Sequence, residues 1–154
     1  MKRRSIAATI GLCVLLPAFT VSAADDDNYK TAGGLAVYLG VLPAAMVRGH
    51  QTHPEERMHG GVPSGPHVYH VVAAVFDAST GKRIENAKVE ARVTPRRLLG
   101  EARALEPMEI AGTVTYGNYF TMGGSDPYRI QLSITPTIGG PTVEVEFTYR
   151  HETR

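Results

Sequence analysis

The stretch Val68–Val93, VYHVVAAVFDASTGKRIENAKVEARV, decides the fold. Its end alternates strictly: Ala87, Val89, Ala91 and Val93 are apolar or small, while Lys88, Glu90 and Arg92 are charged. That period of two belongs to a strand with one buried face and one wet face. Its beginning, Val68 to Phe76, is apolar at both parities, as in a central strand covered on each side. Between them, Asp77-Ala78-Ser79-Thr80-Gly81-Lys82 is a polar, glycine-containing connection that reads as a hairpin joining two strong strands.

The same pattern recurs downstream. Tyr128, Ile130, Leu132 and Ile134 alternate with Arg129, Gln131, Ser133 and Thr135, and Val143, Val145, Phe147 and Tyr149 alternate with Glu144, Glu146 and Thr148. Further strands are expected at Leu35–Leu39, Met108–Tyr116 and Tyr119–Met122. The segments 123–127 and 136–141 carry the glycines and prolines of loops. Single helical turns are expected at Pro43–Val47 and across Arg96–Leu105. About seven short strands at this spacing predict an all-β antiparallel sandwich of immunoglobulin-like type, with a closed barrel as the alternative.

The N-terminus carries an address. Lys2, Arg3 and Arg4 precede an apolar run from Ile6 to Phe19, and Val21-Ser22-Ala23-Ala24 supplies small residues. These are the three parts of a secretory signal peptide, with cleavage expected after Ala23 or Ala24. The apolar run falls short of the roughly 20 residues of a membrane span, so no stable membrane insertion is expected after cleavage. Cys13 lacks the small preceding residue of a lipidation site. The chain therefore divides into a signal peptide at 1–24 and a single domain at 25–154, placed in the periplasm.

Loss of the three basic residues turns the formal charge from +1 to −2 and leaves no basic patch, so nucleic acid is not an expected partner. Loss of Cys13, the one cysteine, leaves a domain that must hold together in an oxidising compartment without a disulfide. A domain of this length buries enough surface to do so.

Tyr69 to Val93 also resembles the strand–turn–strand unit of bacterial envelope β-sandwich domains of the YtkA-like and FixH-like kind. Asp77, Gly81, Ile84, Ala87 and Val89 occupy the positions of their apolar strand, Asp-x-x-x-Gly turn and Ile-x-x-Ala-x-Val pattern. The closing segment DPYRIQLSITPTIGGPTVEVEFTY, Asp126–Tyr149, is similar to the final hairpin of such sandwiches. The resemblance covers about half of the domain and implies a fold. Several such families are linked to metal handling or respiratory-enzyme maturation, and no ligand motif carries over from them.

Function is signalled by histidine. Five of the six histidines, His50, His53, His59, His67 and His70, fall between Arg48 and His70, together with Met58 and just after Met46. Imidazole suits copper, zinc and nickel, and thioether sulfur selects Cu(I), so a cysteine-free copper site can be built from such donors. The expected ligands are His59 and Met58, with His67 at the start of the next strand; His50, His53 and His70 are further candidates. Met108 and Met122 are able to approach from other strands. Gly60, Gly61, Pro63, Gly65 and Pro66 let the chain fold His59 back toward His67. Side-chain alternation puts only one of His67 and His70 on a given face. His70, between Val68 and Val72, equally fits a core histidine, and His50 and His53 fit a solvated loop. Copper as Cu(I) or Cu(II) is the expected cofactor, and its binding should weaken as pH falls toward ~6.5, where protons compete for imidazole nitrogen.

Catalysis is not indicated. His53-x-x-Glu56-x-x-His59 lacks the His-Glu-x-x-His spacing of a helical metalloprotease site, and Ser64, Ser79 and Ser125 sit in no nucleophile elbow. Glu55 and Glu56 are merely adjacent in a polar segment, and Asp25-Asp26-Asp27 lacks the rest of a calcium loop. The alternative to metal binding is a non-catalytic envelope module that engages another protein. Tyr119, Phe120 and Met122 would mark such a surface if exposed, although core filling is the simpler role for them.

Overall fold

A computed structural model of the chain describes residues 27–48, 61–96, 99–110, 112–124, 127–137 and 139–151. Among these residues, eight strands and one short helix follow in the order β1 (Tyr29–Ala32), β2 (Leu35–Pro43), α1 (Ala44–Arg48), β3 (Val68–Asp77), β4 (Lys88–Pro95), β5 (Glu101–Ile110), β6 (Thr113–Thr121), β7 (Tyr128–Thr135) and β8 (Val143–Tyr149). Every pairing is antiparallel, in the order β1-β2-β3-β6-β5-β4-β7-β8. The all-β sandwich-like architecture read from the sequence is thus present. The sheet folds over until β1 and β2 touch β8, which makes the sandwich nearly a barrel.

Strand β5 makes the corner. Glu101–Leu105 pairs with β4, whereas Glu106–Ile110 pairs with β6, so one strand belongs to both halves. Strands that switch sheets in this way turn the edges of β-sandwiches. At the other seam, Gly33 lies in the tight turn between β1 and β2 at φ 53°. A Cβ there would stand 2.7 Å from a methyl carbon of Val143 in β8, so glycine satisfies both the backbone angle and the approach.

The inward parity of each strand fills the interior. Leu35, Val37 and Leu39 of β2 face Val71, Ala73 and Val75 of β3, and Val89, Ala91 and Val93 of β4 face Ile130, Leu132 and Ile134 of β7. Tyr116, Phe120, Met122, Tyr128 and Phe147 complete this core. Tyr116 spans it: its hydroxyl donates to the Ile84 carbonyl and accepts from the Ala87 N–H, both at 2.9 Å.

Three expectations need correction. Arg96–Leu105 does not form a helical turn from end to end, because Glu101–Leu105 lies in β5, where the ladder with β4 overrides helix-favouring side chains. The strand expected over Met108–Tyr116 is two strands, broken at Gly112 with φ 75°. The 77–82 segment does reverse the chain, with Phe76 bridging Arg83. Yet β3 and β4 do not pair as a hairpin, since β2 and β6 occupy both edges of β3. The helical turn expected at 43–47 is present as α1.

Candidate metal site on the outer face of the sheet

Among the described residues, buried side chains lie on both faces of the β3-β6-β5 sheet. The interior cluster excludes His70, Tyr119 and Met108, although these residues are 2%, 2% and 1% exposed. Register explains why. His70 pairs with Tyr119 and Val72 with Gly117, on the face opposite Tyr69, Val71 and Ala73. Glu106 pairs with Gly117 and Met108 with Thr115, which continues that outer face onto β5. Leu42 of β2 is the partner of His70 on its other side. The sequence reads β3 as apolar on both faces, and this second buried layer is the reason.

The imidazole of His70 stacks on Tyr119, with ring centroids 4.6 Å apart and planes at 25°. Gly117 lies diagonally between His70 and Met108. A Cβ on Gly117 would fall 2.7 Å from His70 Nε2, 3.2 Å from Met108 Sδ and 2.5 Å from Met108 Cε. The missing side chain therefore leaves a cradle on which an imidazole nitrogen and a thioether sulfur converge from two different strands. Thr115, opposite Met108, has a buried Oγ1 with no hydrogen-bond partner among the described residues. Glu106 places an exposed carboxylate opposite Gly117.

A cavity of about 280 Å³ opens beside His70, lined by Tyr38, Leu39, Gly40, Leu42, Val47, Val72 and Ala74. Helix α1 forms part of its wall through Val47 and anchors itself by the fully buried Ala44. Apart from His70 and the Tyr38 hydroxyl the wall side chains are apolar, so the space beside His70 offers few oxygen donors. Soft, low-charge ions tolerate such surroundings better than hard ions, which require several oxygen ligands.

Of the residues singled out in the sequence, His50, His53, Met58 and His59 lie outside the described residues. His67 precedes β3, with its ring against Gly123 and its carbonyl accepting from the Met122 N–H at 2.7 Å. Met122 belongs to the interior core, so His67 is placed toward the end of the sandwich rather than in the outer cluster. Tyr119, Phe120 and Met122 are all buried and form no exposed partner surface. Among the described residues, no three His, Cys, Asp or Glu side chains form a metal-sized group. The donor pair found is instead a nitrogen–sulfur pair. The sequence assigns Tyr119 only to a partner surface or the core, and Gly117 to neither. A glycine inside a strand next to aromatics is the signal that pointed to such a close approach.

No protein-family model matches the chain, and no curated protein matches it. Solved structures do. A DUF4426 family protein from Pseudomonas aeruginosa PAO1 has a TM-score of 0.58 at 15% identity, over 79% of this chain and 90% of that one. A copper-bound glutamate-to-glutamine variant of FetP from uropathogenic Escherichia coli strain F11 has a TM-score of 0.61 at 13% identity, over 79% and 91%. A copper-bound glutamate-to-glutamine variant of Campylobacter jejuni P19 has a TM-score of 0.59 at 12% identity, over 80% and 93%. At these identities the likeness is one of fold. It supports an all-β domain of this architecture, and none of the three carries the YtkA-like or FixH-like name.

Proposed function

We propose that the chain is an exported, non-catalytic periplasmic protein that binds copper through histidine and methionine. The observation that carries this reading is the approach of His70 Nε2 and Met108 Sδ, from two strands, to within 2.7 and 3.2 Å of the place a Gly117 Cβ would take. One imidazole nitrogen and one thioether match the donors that copper accepts in the absence of thiolate. Copper bound by two proteins of similar fold supports the choice of metal. Relative to the sequence reading, the proposed centre moves from Met58, His59 and His67 to the buried His70 and Met108. Among the described residues no helix is long and apolar enough to cross a membrane. Export rests on the sequence of residues 1–24, and N-terminal mass analysis of the mature protein should find Ala24 or Asp25 first.

Calorimetric titration of the 25–154 domain with Cu(I), Cu(II) and Zn(II) tests the metal. Micromolar or tighter copper binding, lost in Met108→Leu and in His70→Gln, supports the proposed centre. Loss in a His59→Ala, His67→Ala double variant alone would return the site to the histidine-rich stretch. No binding of any of the three metals would refute the reading.

A second reading is an envelope interaction module. Tyr38, Leu42 and Met46 are 50%, 41% and 60% exposed and lie on β2 and α1, with Tyr38 and Leu42 at the rim of the cavity beside His70. Exposed apolar side chains grouped in this way favour contact with another protein. Cross-linking in periplasmic extracts from position 38 or 42 would identify that partner.

A further inference from the structure

His151, which stands alone in the sequence, is surrounded in the structure. Its ring centroid lies 4.9 Å from that of Tyr69, 5.4 Å from Tyr128 and 5.3 Å from Tyr149. The planes meet at 58°, 88° and 77°, so none of the three tyrosines stacks flat on the imidazole. Tyr69 and Tyr149 also meet edge to face at 6.4 Å. The three tyrosines come from β3 in one half of the sandwich and from β7 and β8 in the other. Tyr128 is buried, whereas Tyr69, Tyr149 and His151 are half-buried, so the enclosure opens toward solvent.

The aromatic rings present electron-rich faces, and a cation within about 6 Å of several such faces is attracted by each of them. All three distances to His151 fall inside that limit. His151 is the second residue beyond β8, and its ring occupies the space among the three tyrosines. We propose that Tyr69, Tyr128 and Tyr149 form a site for a small organic cation of the quaternary ammonium class, with His151 as a displaceable strap. The site is independent of the copper reading. Strand alternation puts Tyr69 on the opposite face of β3 from His70.

The test uses the 25–154 domain and its His151→Ala variant, titrated with choline and with its neutral carbon isostere 3,3-dimethylbutan-1-ol. Tyrosine fluorescence and two-dimensional NMR report on the three rings. The site predicts saturable choline binding to the variant, about tenfold tighter than to the parent, and binding of the neutral isostere about tenfold weaker than that of choline. Equal binding of both compounds would reduce the cluster to an apolar plug and overturn the proposal. Absence of choline binding to a folded variant, or equal affinity in variant and parent, would overturn it as well. If the variant does not fold, the parent decides: choline at high concentration must shift the ring signals of Tyr69, Tyr128, Tyr149 and His151 together, and unmoved signals would overturn the proposal.

Discussion

Gly117 is the residue on which the outer cluster turns. Gly117→Ala places a methyl group 2.5 Å from Met108 Cε and 2.7 Å from His70 Nε2, so both side chains must move. Overpacking of this kind costs about 1–3 kcal/mol, and the displaced donors should no longer meet. Met108→Leu is the complementary change. It conserves volume, should cost less than about 1.5 kcal/mol, and removes only the sulfur. Denaturant unfolding combined with copper titration separates the two: the alanine variant loses stability and copper, the leucine variant chiefly copper. A glycine variant that keeps full copper affinity would place the metal elsewhere. At the β3–β4 turn, a different residue carries an electrostatic signal. The side-chain hydroxyl of Ser79, that of Thr80 and the backbone N–H of Thr80 donate to the Asp77 carboxylate and lower its pKa to about 2. Because the folded value lies below that of the unfolded chain, the turn's stabilisation is present above about pH 4. It is lost as pH falls through about 2. Carboxyl-carbon NMR should find the Asp77 midpoint near 2, and a midpoint near 4 would mean that these hydrogen bonds do not hold in solution.

At the scale of elements, the β3–β4 connection depends on one phenol. The hydroxyl of Tyr116 on β6 reaches across to Ile84 and Ala87, and burial raises its pKa above the usual tyrosine value. Tyr116→Phe keeps the ring and abandons one carbonyl and one N–H, which predicts a loss of about 1–3 kcal/mol by denaturant unfolding. A loss well below this range would show that water replaces the phenol there. The strands themselves differ in how far the sequence discloses them. β4, β7 and β8 match their expected spans closely because a single-sided core imposes an uninterrupted period of two, and β3 does so because its run is apolar on both faces. β5 was concealed: Glu101, Ala102, Arg103, Ala104 and Leu105 favour helix locally, and only pairing with β4 on one side and β6 on the other makes them extended. β1, four residues long, carries too short a pattern to read. The site was less legible still. His70 is among the candidate ligands in the sequence and Met108 among the methionines able to approach, but their convergence depends on the order β3-β6-β5, which brings residues 38 positions apart in sequence onto one face. The tyrosines around His151 were invisible for the same reason, since they come from three strands in two halves of the molecule.

For the whole molecule, removal of residues 1–24 leaves a domain without cysteine, held by its core alone. Its circular dichroism should be of β type and its thermal midpoint the same with and without reductant; a shift with reductant would mean that Cys13 is retained. The interior core crosses from one half of the sandwich to the other, and β5 belongs to both, so the domain should unfold in one cooperative step. The central claim concerns the second face of that sheet, where the outer layer holds a nitrogen–sulfur pair instead of an oxygen cage. X-ray absorption of the Cu(I)-loaded 25–154 domain tests it most directly, because without cysteine any sulfur bound to copper must come from methionine. The account predicts a mixed nitrogen and sulfur shell in the parent and no sulfur in Met108→Leu. A shell of nitrogen and oxygen alone in the parent, or a sulfur contribution that survives in Met108→Leu, would contradict it.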